Sequence, residues 1–153
     1  MDVVRQILEG RAAQFARHRI DVDVKAPATR WRIKAVKGMV IRIIENLLEN
    51  SVYWLKIEGR RSRGFSPAIT VELDPHTCEL SVTDNGPGVA PDRAQIIFEP
   101  FVTSKPPGQG RGLGLYISRE MARYHDWELA LAPDETLHRG RLDTFVLRMD
   151  LNE

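Results

Sequence analysis

Asp84-Asn85-Gly86-Pro87-Gly88, then Phe98-Glu99-Pro100-Phe101, then Gly110-Arg111-Gly112-Leu113-Gly114-Leu115 are the stretches that decide the fold of this chain. They place an acidic residue at a tight turn, then a hinged segment, then a glycine-rich approach to an apolar helix. Glycine permits the positive φ angles and close backbone approaches that turns and ligand cradles need. This order predicts a pocket that grips a base at one end and phosphates at the other.

The composition limits the class of protein. With 153 residues and 42% apolar content, the chain is long enough for one domain with one core. Its 22 basic and 21 acidic residues nearly cancel, so the charge demands neither a nucleic acid nor an anionic membrane as partner. The single cysteine, Cys78, excludes an internal disulfide and fits a reducing compartment. No apolar run approaches the ~20 residues of a membrane span, and no signal-peptide core is present. We therefore expect a soluble, cytosolic domain.

Hydrophobic periodicity predicts an α+β fold. Helices are predicted at about 2–18, 38–56 and 113–125, with a short helix at about 91–97. Strands are predicted at about 20–25, 31–36, 68–73, 79–83, 127–131 and 142–151. The turn Asp74-Pro75-His76 should join two of these strands as a hairpin. Three prolines and two glycines predict a mobile loop over 99–110. Three substantial helices could cover one sheet face, which predicts a two-layer α/β sandwich.

The long helix carries two asparagines, Asn46 and Asn50, on one face beside Tyr53. The opposite, buried face is predicted to hold Val40, Ile44, Leu48, Ser51 and Leu55. Stacked carboxamides can offer oxygens to Mg²⁺, which takes few protein ligands and leaves other positions to water and phosphates. Ordinary solvent-facing asparagines are the alternative. Glu45 and Glu49 flank them as candidate bases or as a solvated acidic stripe.

Asp84 ends a predicted strand and shares its inward face with Leu80 and Val82. An inward carboxylate needs hydrogen-bond partners. The exocyclic amine of adenine would donate to it, whereas guanine presents an acceptor there and would be rejected. The backbone amides of its own Asx-type turn are the alternative partners. Gly86 and Gly88 either admit a flat ligand or simply permit the turn.

Three glycines, Gly110, Gly112 and Gly114, precede an apolar helix. Free backbone amides at a helix start form an anion site, although tight turns use the same residues. Two cations lie around this entry to the helix, Lys105 before the glycines and Arg111 between the first two, and the same loop carries the hydroxyls of Thr103 and Ser104. The cations could meet phosphate charge, or be solvated parts of the loop.

In this fixed order, the segments resemble the motifs of the GHKL superfamily, which includes gyrase, Hsp90, histidine kinase and MutL ATPases. Asn46-Leu47-Leu48-Glu49-Asn50 resembles the N box, and the stretch from Asp84 to Gly88 resembles the G1 box. Residues 97–105 resemble the F box, and residues 110–115 resemble the G2 box. The F and G2 boxes are most similar to those of sensor histidine kinases of the nitrogen-regulatory type.

The resemblance implies the Bergerat fold: a mixed, mostly antiparallel sheet backed by three helices, with ATP between helices under a lid at about 99–111. It implies one ATP-binding catalytic domain over 1–153, excised from a longer protein. Asn50 would carry Mg²⁺, Asp84 would take the adenine amine, and Gly86 and Gly88 would shape the adenine floor. The remaining implied ATP contacts are Asn46, Tyr53, Val89, Phe101, Thr103, Ser104, Lys105, Gly110, Arg111, Gly112, Leu113, Gly114, Leu115 and Thr144.

Three departures from the family pattern bear on function. Asn46 stands where gyrase-like members place a catalytic glutamate, which favours the kinase branch. Tyr53 replaces the lysine or arginine of many kinases, and Arg111 replaces a small residue and is the candidate to compensate. The phosphoacceptor motif is absent, since His125 has an acidic neighbour but leads straight into a strand. Any acceptor histidine would therefore lie outside this chain.

The predicted function is transfer of the γ-phosphoryl group of Mg-ATP to a histidine on a separate domain or partner, with a response regulator beyond it. Asn46, Glu45 and Glu49 are the candidate catalytic residues. One alternative is a conformational ATPase of the gyrase or MutL kind, in which Glu45 or Glu49 helps to activate water. Another is a nucleotide-binding module without turnover. We expect no nucleic acid and no direct membrane contact, a monomeric fragment, and a homodimeric full-length protein that a membrane could tether.

Overall fold

The computed structural model describes residues 2–28, 31–106, 112–132 and 139–149. The helices are α1 Asp2–Gly10, α2 Ala12–Arg17, α3 Lys37–Arg61 and α4 Gly114–Tyr124, with 3₁₀ turns at Pro91–Arg93 and Ile96–Phe98. The strands are β1 Asp21–Lys25, β2 Ala68–Asp74, β3 Glu79–Asp84, β4 Glu128–Leu131 and β5 Thr144–Arg148. Within the described ranges, no helix has both the length and the apolar character to cross a bilayer.

The five strands form one mixed sheet in the order β1-β2-β3-β5-β4. Only β1 and β2 pair in parallel, and the other neighbours are antiparallel. The β2–β3 hairpin forms as predicted, and the amide of His76 donates to Asp74 Oδ1 over 2.9 Å in its turn. The predicted α+β sandwich with a mostly antiparallel sheet is therefore confirmed.

One face of the sheet is buried under α3 and α4, and α1 packs on α3. The alternating burial of β2, β3 and β5 puts every second side chain of these strands into the core. The buried sheet residues are Ile69, Val71, Leu73, Leu80, Val82, Leu129, Phe145 and Leu147. Asp84 lies opposite Ile69 across the β2–β3 ladder, so its register brings the carboxylate to the helix-covered face, as the alternation predicts.

The first predicted helix is wrong in length, because α1 ends at Gly10 and α2 begins at Ala12. Glycine is a poor helix former, and Arg11 breaks the helix with φ −106° and ψ 4°. The Arg11 side chain bonds Gln14 and Glu49 instead, which fixes the break against α3.

The predicted strand over 31–36 is also wrong, because this segment pairs with no strand. Its alternation is nevertheless real: Trp31, Ile33 and Ala35 are half-buried against the core, while their neighbours are exposed. The period of two therefore indicated a segment with one buried side, although its backbone is not paired into the sheet.

The remaining differences concern element ends. Helix α3 runs through Gly59 to Arg61, because nothing crowds that glycine and two terminal arginines complement the helix dipole. The predicted helix after Pro91 is two separate 3₁₀ turns. Strand β5 begins at Thr144, since Leu142 forms only an isolated bridge with Val89.

Candidate functional site

A cavity of about 570 Å³ lies between α3, the acidic turn (84–88), the lid segment (99–106) and the start of α4. Most residues that the sequence proposed for a site line it. They are Asn46, Glu49, Asn50, Asp84, Gly88, Val89, Thr103, Ser104, Lys105, Gly112, Leu113, Gly114 and Leu115. Two further candidates, Gly110 and Arg111, lie outside the described residues.

Asp84 is held from two sides at the cavity wall. Its Oδ2 accepts a hydrogen bond from the Ser51 hydroxyl at 2.7 Å, and its Oδ1 accepts one from the Gly86 amide at 2.9 Å. Burial raises the pKa of this carboxyl, the two hydrogen bonds oppose the shift, and the nearby Asp143 adds to it. The Asx-type turn considered as an alternative partner is thus present. Each oxygen keeps acceptor capacity for a ligand N–H, because a carboxylate oxygen has two lone pairs.

The two glycines of the acidic turn differ in their surroundings. Gly88 lines the cavity at φ +70°, and a Cβ there would lie 3.0 Å from the Leu142 carbonyl oxygen. Gly86 does not line the cavity, and its Cβ would meet Asp84 Oδ1 at 2.9 Å. The glycine at 88 therefore permits a close backbone crossing, and the glycine at 86 permits the Asx turn.

Asn46 is buried, so the alternative of an ordinary solvent-facing asparagine is wrong for this residue. Its amide nitrogen donates to Ser118 Oγ at 2.9 Å and to the Gly114 carbonyl at 3.3 Å, so it ties α3 to the start of α4. Asn50, one turn later, is only half-buried and lines the cavity. Ser51 lies five positions after Asn46 in α3, a rise of about 7.5 Å. The helix therefore spaces the glycine segment (112–115) from the carboxylate of Asp84.

A metal ion would find few ligands here. Among the described residues, no group of three or more acidic, histidine or cysteine side chains could enclose a cation. Asn50 offers a carboxamide at the cavity wall, whereas the amide nitrogen of the other lining asparagine, Asn46, bonds Ser118 and Gly114. This donor set fits Mg²⁺ that arrives with phosphate and water oxygens, and does not fit a metal caged by protein alone.

The lid segment is packed on the glycine segment through its backbone. The Phe101 amide donates to the Gly112 carbonyl at 2.9 Å, and a Cβ on Gly112 would lie 2.5 Å from the Phe101 carbonyl carbon. Gly112 also has φ +70°, so both its backbone conformation and the lack of space for a Cβ require glycine there. The Phe101 ring itself is 73% exposed and does not line the cavity, and Val102 does so instead.

Lys105 connects the lid segment to α3. Its ammonium lies 4.4 Å from the centre of the Tyr53 ring, a cation–π distance. Burial lowers the pKa of Lys105, and Glu49 opposes that shift. Tyr53 was predicted to contact the ligand but does not line the cavity. It contacts Lys105, which does line the cavity.

Glu45 and Thr144 do not line the cavity. Glu45 lies in a separate cleft of about 480 Å³ between α1, α2 and α3. Thr144 shares hydrogen bonds with Thr83 and with Asp143, the residue that lines the cavity in its place. Glu49 lines the cavity rim, but Arg11 donates to it over 2.9 Å.

Several site residues were missed by sequence reasoning. Those that line the cavity are Arg42, Trp54, Arg61, Arg93, Arg141 and Asp143, and Ser51 supports Asp84 from behind. Ser51 gave a usable signal, because a serine on the buried stripe of a helix needs a hydrogen-bond partner. Arg141 gave none, since nothing in the sequence near it shows which turn it would face.

Comparison with known proteins identifies the family of this chain. The profile of the family "Histidine kinase-, DNA gyrase B-, and HSP90-like ATPase" matches residues 36–153. The two-component sensor PprA of Pseudomonas aeruginosa is 34% identical over 135 residues, which cover 88% of this chain and 14% of PprA. The histidine-protein kinase/phosphatase MprB of Mycobacterium ulcerans is 28% identical, over 89% of this chain and 26% of MprB. The chain thus spans between 14% and 26% of the length of these relatives.

Solved structures show the same fold. The nucleotide-free catalytic domain of the histidine kinase ThkA superposes with a TM-score of 0.77 at 20% identity, over 98% of this chain and 91% of that one. Full-length ShkA in complex with AMPPNP gives a TM-score of 0.76 at 22% identity, over 97% of this chain and 29% of that one. The match of the family profile to residues 36–153 decides the family of this chain. The chain belongs to the family of histidine kinase-, DNA gyrase B- and HSP90-like ATPases.

Proposed function

We propose that this chain binds Mg-ATP and transfers its γ-phosphoryl group to a histidine on a separate domain or partner. One observation carries the proposal: Asp84 and Asn50 line the same cavity, together with the glycine segment at the start of α4. One ligand could therefore reach the carboxylate that would recognise a purine, the carboxamide that would bind a metal ion and the helix start that would bind anions. The sensor and kinase names of PprA and MprB support the same activity.

Asp84 would select the purine. Its carboxylate accepts from the exocyclic amine of adenine, while the carbonyl of guanine would place an acceptor against an acceptor. Ser51 and the Gly86 amide fix the carboxylate in place, so little conformational freedom is lost when the base binds. Trp54 and Val89 add apolar surface to the same cavity.

The triphosphate would lie toward the start of α4. The backbone amides of the glycine segment and the helix dipole favour anions there. Lys105 and Arg42 line the same cavity and supply positive charge. Asn50 would hold Mg²⁺, which neutralises charge on the phosphates when bound.

Transfer to a histidine is favoured over hydrolysis by the positions of the glutamates. Glu45 lies in another cleft, and Glu49 is engaged by Arg11. Asn46 carries no titratable group and uses its amide nitrogen to bond Ser118 and Gly114. Among the described residues, the candidate bases Glu45 and Glu49 are therefore not free to activate water in this cavity. An acceptor imidazole brings its own nucleophile, so positioning and charge neutralisation are the tasks left to the protein.

The organisation of the full protein is part of the proposal. The residues of this chain act as one catalytic domain, and the acceptor histidine and a response regulator lie on other domains or chains. Support comes from ThkA, which has been solved in complex with the response regulator protein TrrA and shares this fold at a TM-score of 0.75 and 19% identity. We place the domain in the cytosol, where ATP is available.

The test has two stages. Calorimetric titration should show that Mg-ATP binds more tightly than Mg-GTP. Asp84→Asn should weaken ATP binding and reduce the difference in affinity between ATP and GTP. Incubation with γ-labelled ATP and candidate histidine-bearing helical domains should then yield an acid-labile phosphohistidine. ATP binding without transfer to any candidate would indicate a binding module, and equal affinities for ATP and GTP in the unmodified protein would contradict the role of Asp84.

A further inference from the structure

We propose that Arg141 is a positioning residue for the purine, because its guanidinium clamps the second half of the acidic turn (84–88). The inference rests on the proposed function. Arg141 would act through the backbone of Pro87 and Gly88, which line the cavity as Arg141 itself does.

The clamp is a fork of two hydrogen bonds. Arg141 Nε donates to the Pro87 carbonyl at 2.6 Å, and Arg141 Nη2 donates to the Gly88 carbonyl at 3.1 Å. A guanidinium presents its donors in a rigid plane, so one side chain can hold two consecutive carbonyls at once. Bonds from a charged donor are also stronger than those between neutral groups.

The backbone beside Arg141 reinforces the clamp. The Val89 amide donates to the Leu142 carbonyl at 2.7 Å, and the Leu142 amide donates back to Val89 at 2.8 Å. Gly88 lies so close to residues 141–142 that a Cβ would lie 3.0 Å from the Leu142 carbonyl oxygen and from Arg141 Cβ. The chain after the turn is therefore fixed to residues 141–142.

The first half of the turn is held by other groups. Ser51 and the Gly86 amide bind Asp84, and Asn85 bonds the Ser66 carbonyl and the Ala68 amide. Because the two halves have separate supports, loss of Arg141 should loosen the second half and leave the carboxylate of Asp84 in place. A loosened turn must be ordered by the ligand, which lowers affinity for the base and blurs discrimination between bases.

Hydrogen exchange of the nucleotide-free protein tests the clamp itself. Arg141→Met removes both donors, and Arg141→Lys keeps the charge but loses the fork. Arg139→Met is the matched control, since Arg139 is an exposed arginine two positions before Arg141 and does not line the cavity. Both Arg141 variants should exchange faster than the unmodified protein over 86–90, and the control should not. Unchanged exchange in Arg141→Met would overturn the clamp whatever the protein binds.

Ligand titration tests the consequence. Losing two such bonds should weaken ATP binding about tenfold in both Arg141 variants. The ratio of ATP to GTP affinity should also fall, while affinity for inorganic tripolyphosphate and the melting temperature stay near those of Arg139→Met. If Arg141→Lys behaves as the unmodified protein and Arg141→Met loses ATP and tripolyphosphate alike, simple charge attraction explains the residue and positioning is wrong. An unmodified protein that binds no ATP would overturn the proposed function and the purine role together, and would leave the exchange result standing.

Discussion

The carboxylate of Asp84 lies where ionisation is costly, since burial raises its pKa and Asp143 adds like-charge repulsion. The hydrogen bonds from Ser51 and Gly86 offset only part of that cost. A ligand amine facing Asp84 would offset more, because it favours the charged form. Ionised Asp84 therefore destabilises the empty domain, and the proposed ligand amine would offset that cost.

This arrangement predicts a pH dependence of stability with a defined sign. A carboxyl whose folded pKa lies above its unfolded value, 3.8 for Asp84, binds more protons in the folded state between the two values. The free energy of unfolding then falls as pH rises through that window, and the contribution is fully lost above the folded pKa. Asp84→Asn cannot titrate, so the unmodified protein should lose stability relative to this variant as pH is raised from about 4 to 7.

Chemical denaturation of both nucleotide-free proteins across that range measures the difference directly. A difference in unfolding free energy that stays constant with pH would show that Asp84 titrates normally. A difference that grows in favour of the unmodified protein would reverse the sign of the assigned shift.

The Mg²⁺ role proposed for Asn50 predicts a specific loss of magnesium dependence. Asn50→Ala removes the one carboxamide assigned to the ion, so Mg²⁺ should no longer strengthen ATP binding. The loss should be at least about tenfold, since even indirect partners of metal ligands are worth that much. Calorimetric titration of ATP with Mg²⁺ and with a chelator in its place checks this. If Asn50→Ala keeps the full benefit of Mg²⁺, the ion is held elsewhere.

At the scale of elements, the lid segment depends on one glycine. Gly112 and Gly64 have nearly the same positive φ, +70° and +74°, but a Cβ would meet the Phe101 backbone only at Gly112 and nothing within 4 Å at Gly64. Both substitutions to alanine should cost about 1–2 kcal/mol for the backbone conformation. Gly112→Ala should cost about 1–3 kcal/mol more, because backbone cannot rotate aside as a side chain can.

In a denaturation experiment, the difference in unfolding free energy between Gly112→Ala and Gly64→Ala thus measures the packing cost at Gly112. Hydrogen exchange then shows which segment is loosened. Gly112→Ala should raise exchange over the lid segment (99–106), whereas Gly64→Ala should leave it unchanged. Equal destabilisation by the two substitutions, with equal lid protection, would mean that the lid does not need Gly112.

Elements with a hydrophobic stripe were predictable from the sequence, and their exact partners were not. The stripe of α3 placed Ile44, Leu48, Ser51 and Leu55 in the core, where the structure has them. The same wheel put Asn46 on the opposite face and did not show that it is buried, because a helical wheel carries no information about α4, which supplies Ser118 and Gly114 as hydrogen-bond partners. Alternation over 31–36 predicted a one-sided segment correctly, but pairing depends on a neighbouring strand that local sequence does not reveal.

For the whole molecule, the order of motifs predicted which segments meet, since each lies at the end of an element that the core fixes. Asp84 ends β3, Gly114 begins α4, and α3 runs between them. Contacts made from the far end of the chain escaped prediction: Arg141 reaches back 54 residues to Pro87. Local sequence patterns therefore predict the segments that line the cavity better than the long-range hydrogen bonds that join them.

Separation of core and cavity leads to a last prediction. Leu147 on β5 is fully buried and does not line the cavity. Leu147→Ala should therefore lower the free energy of unfolding by about 2–5 kcal/mol without disturbing the ligand's contacts. Mg-ATP at about a hundred times its dissociation constant should add back about 2.7 kcal/mol by mass action, in this variant as in the unmodified protein. Asn50→Ala should gain much less at the same ligand concentration. Thermal unfolding with and without Mg-ATP compares the three proteins, and a much smaller gain in Leu147→Ala would show that the cavity is not independent of the β5 core.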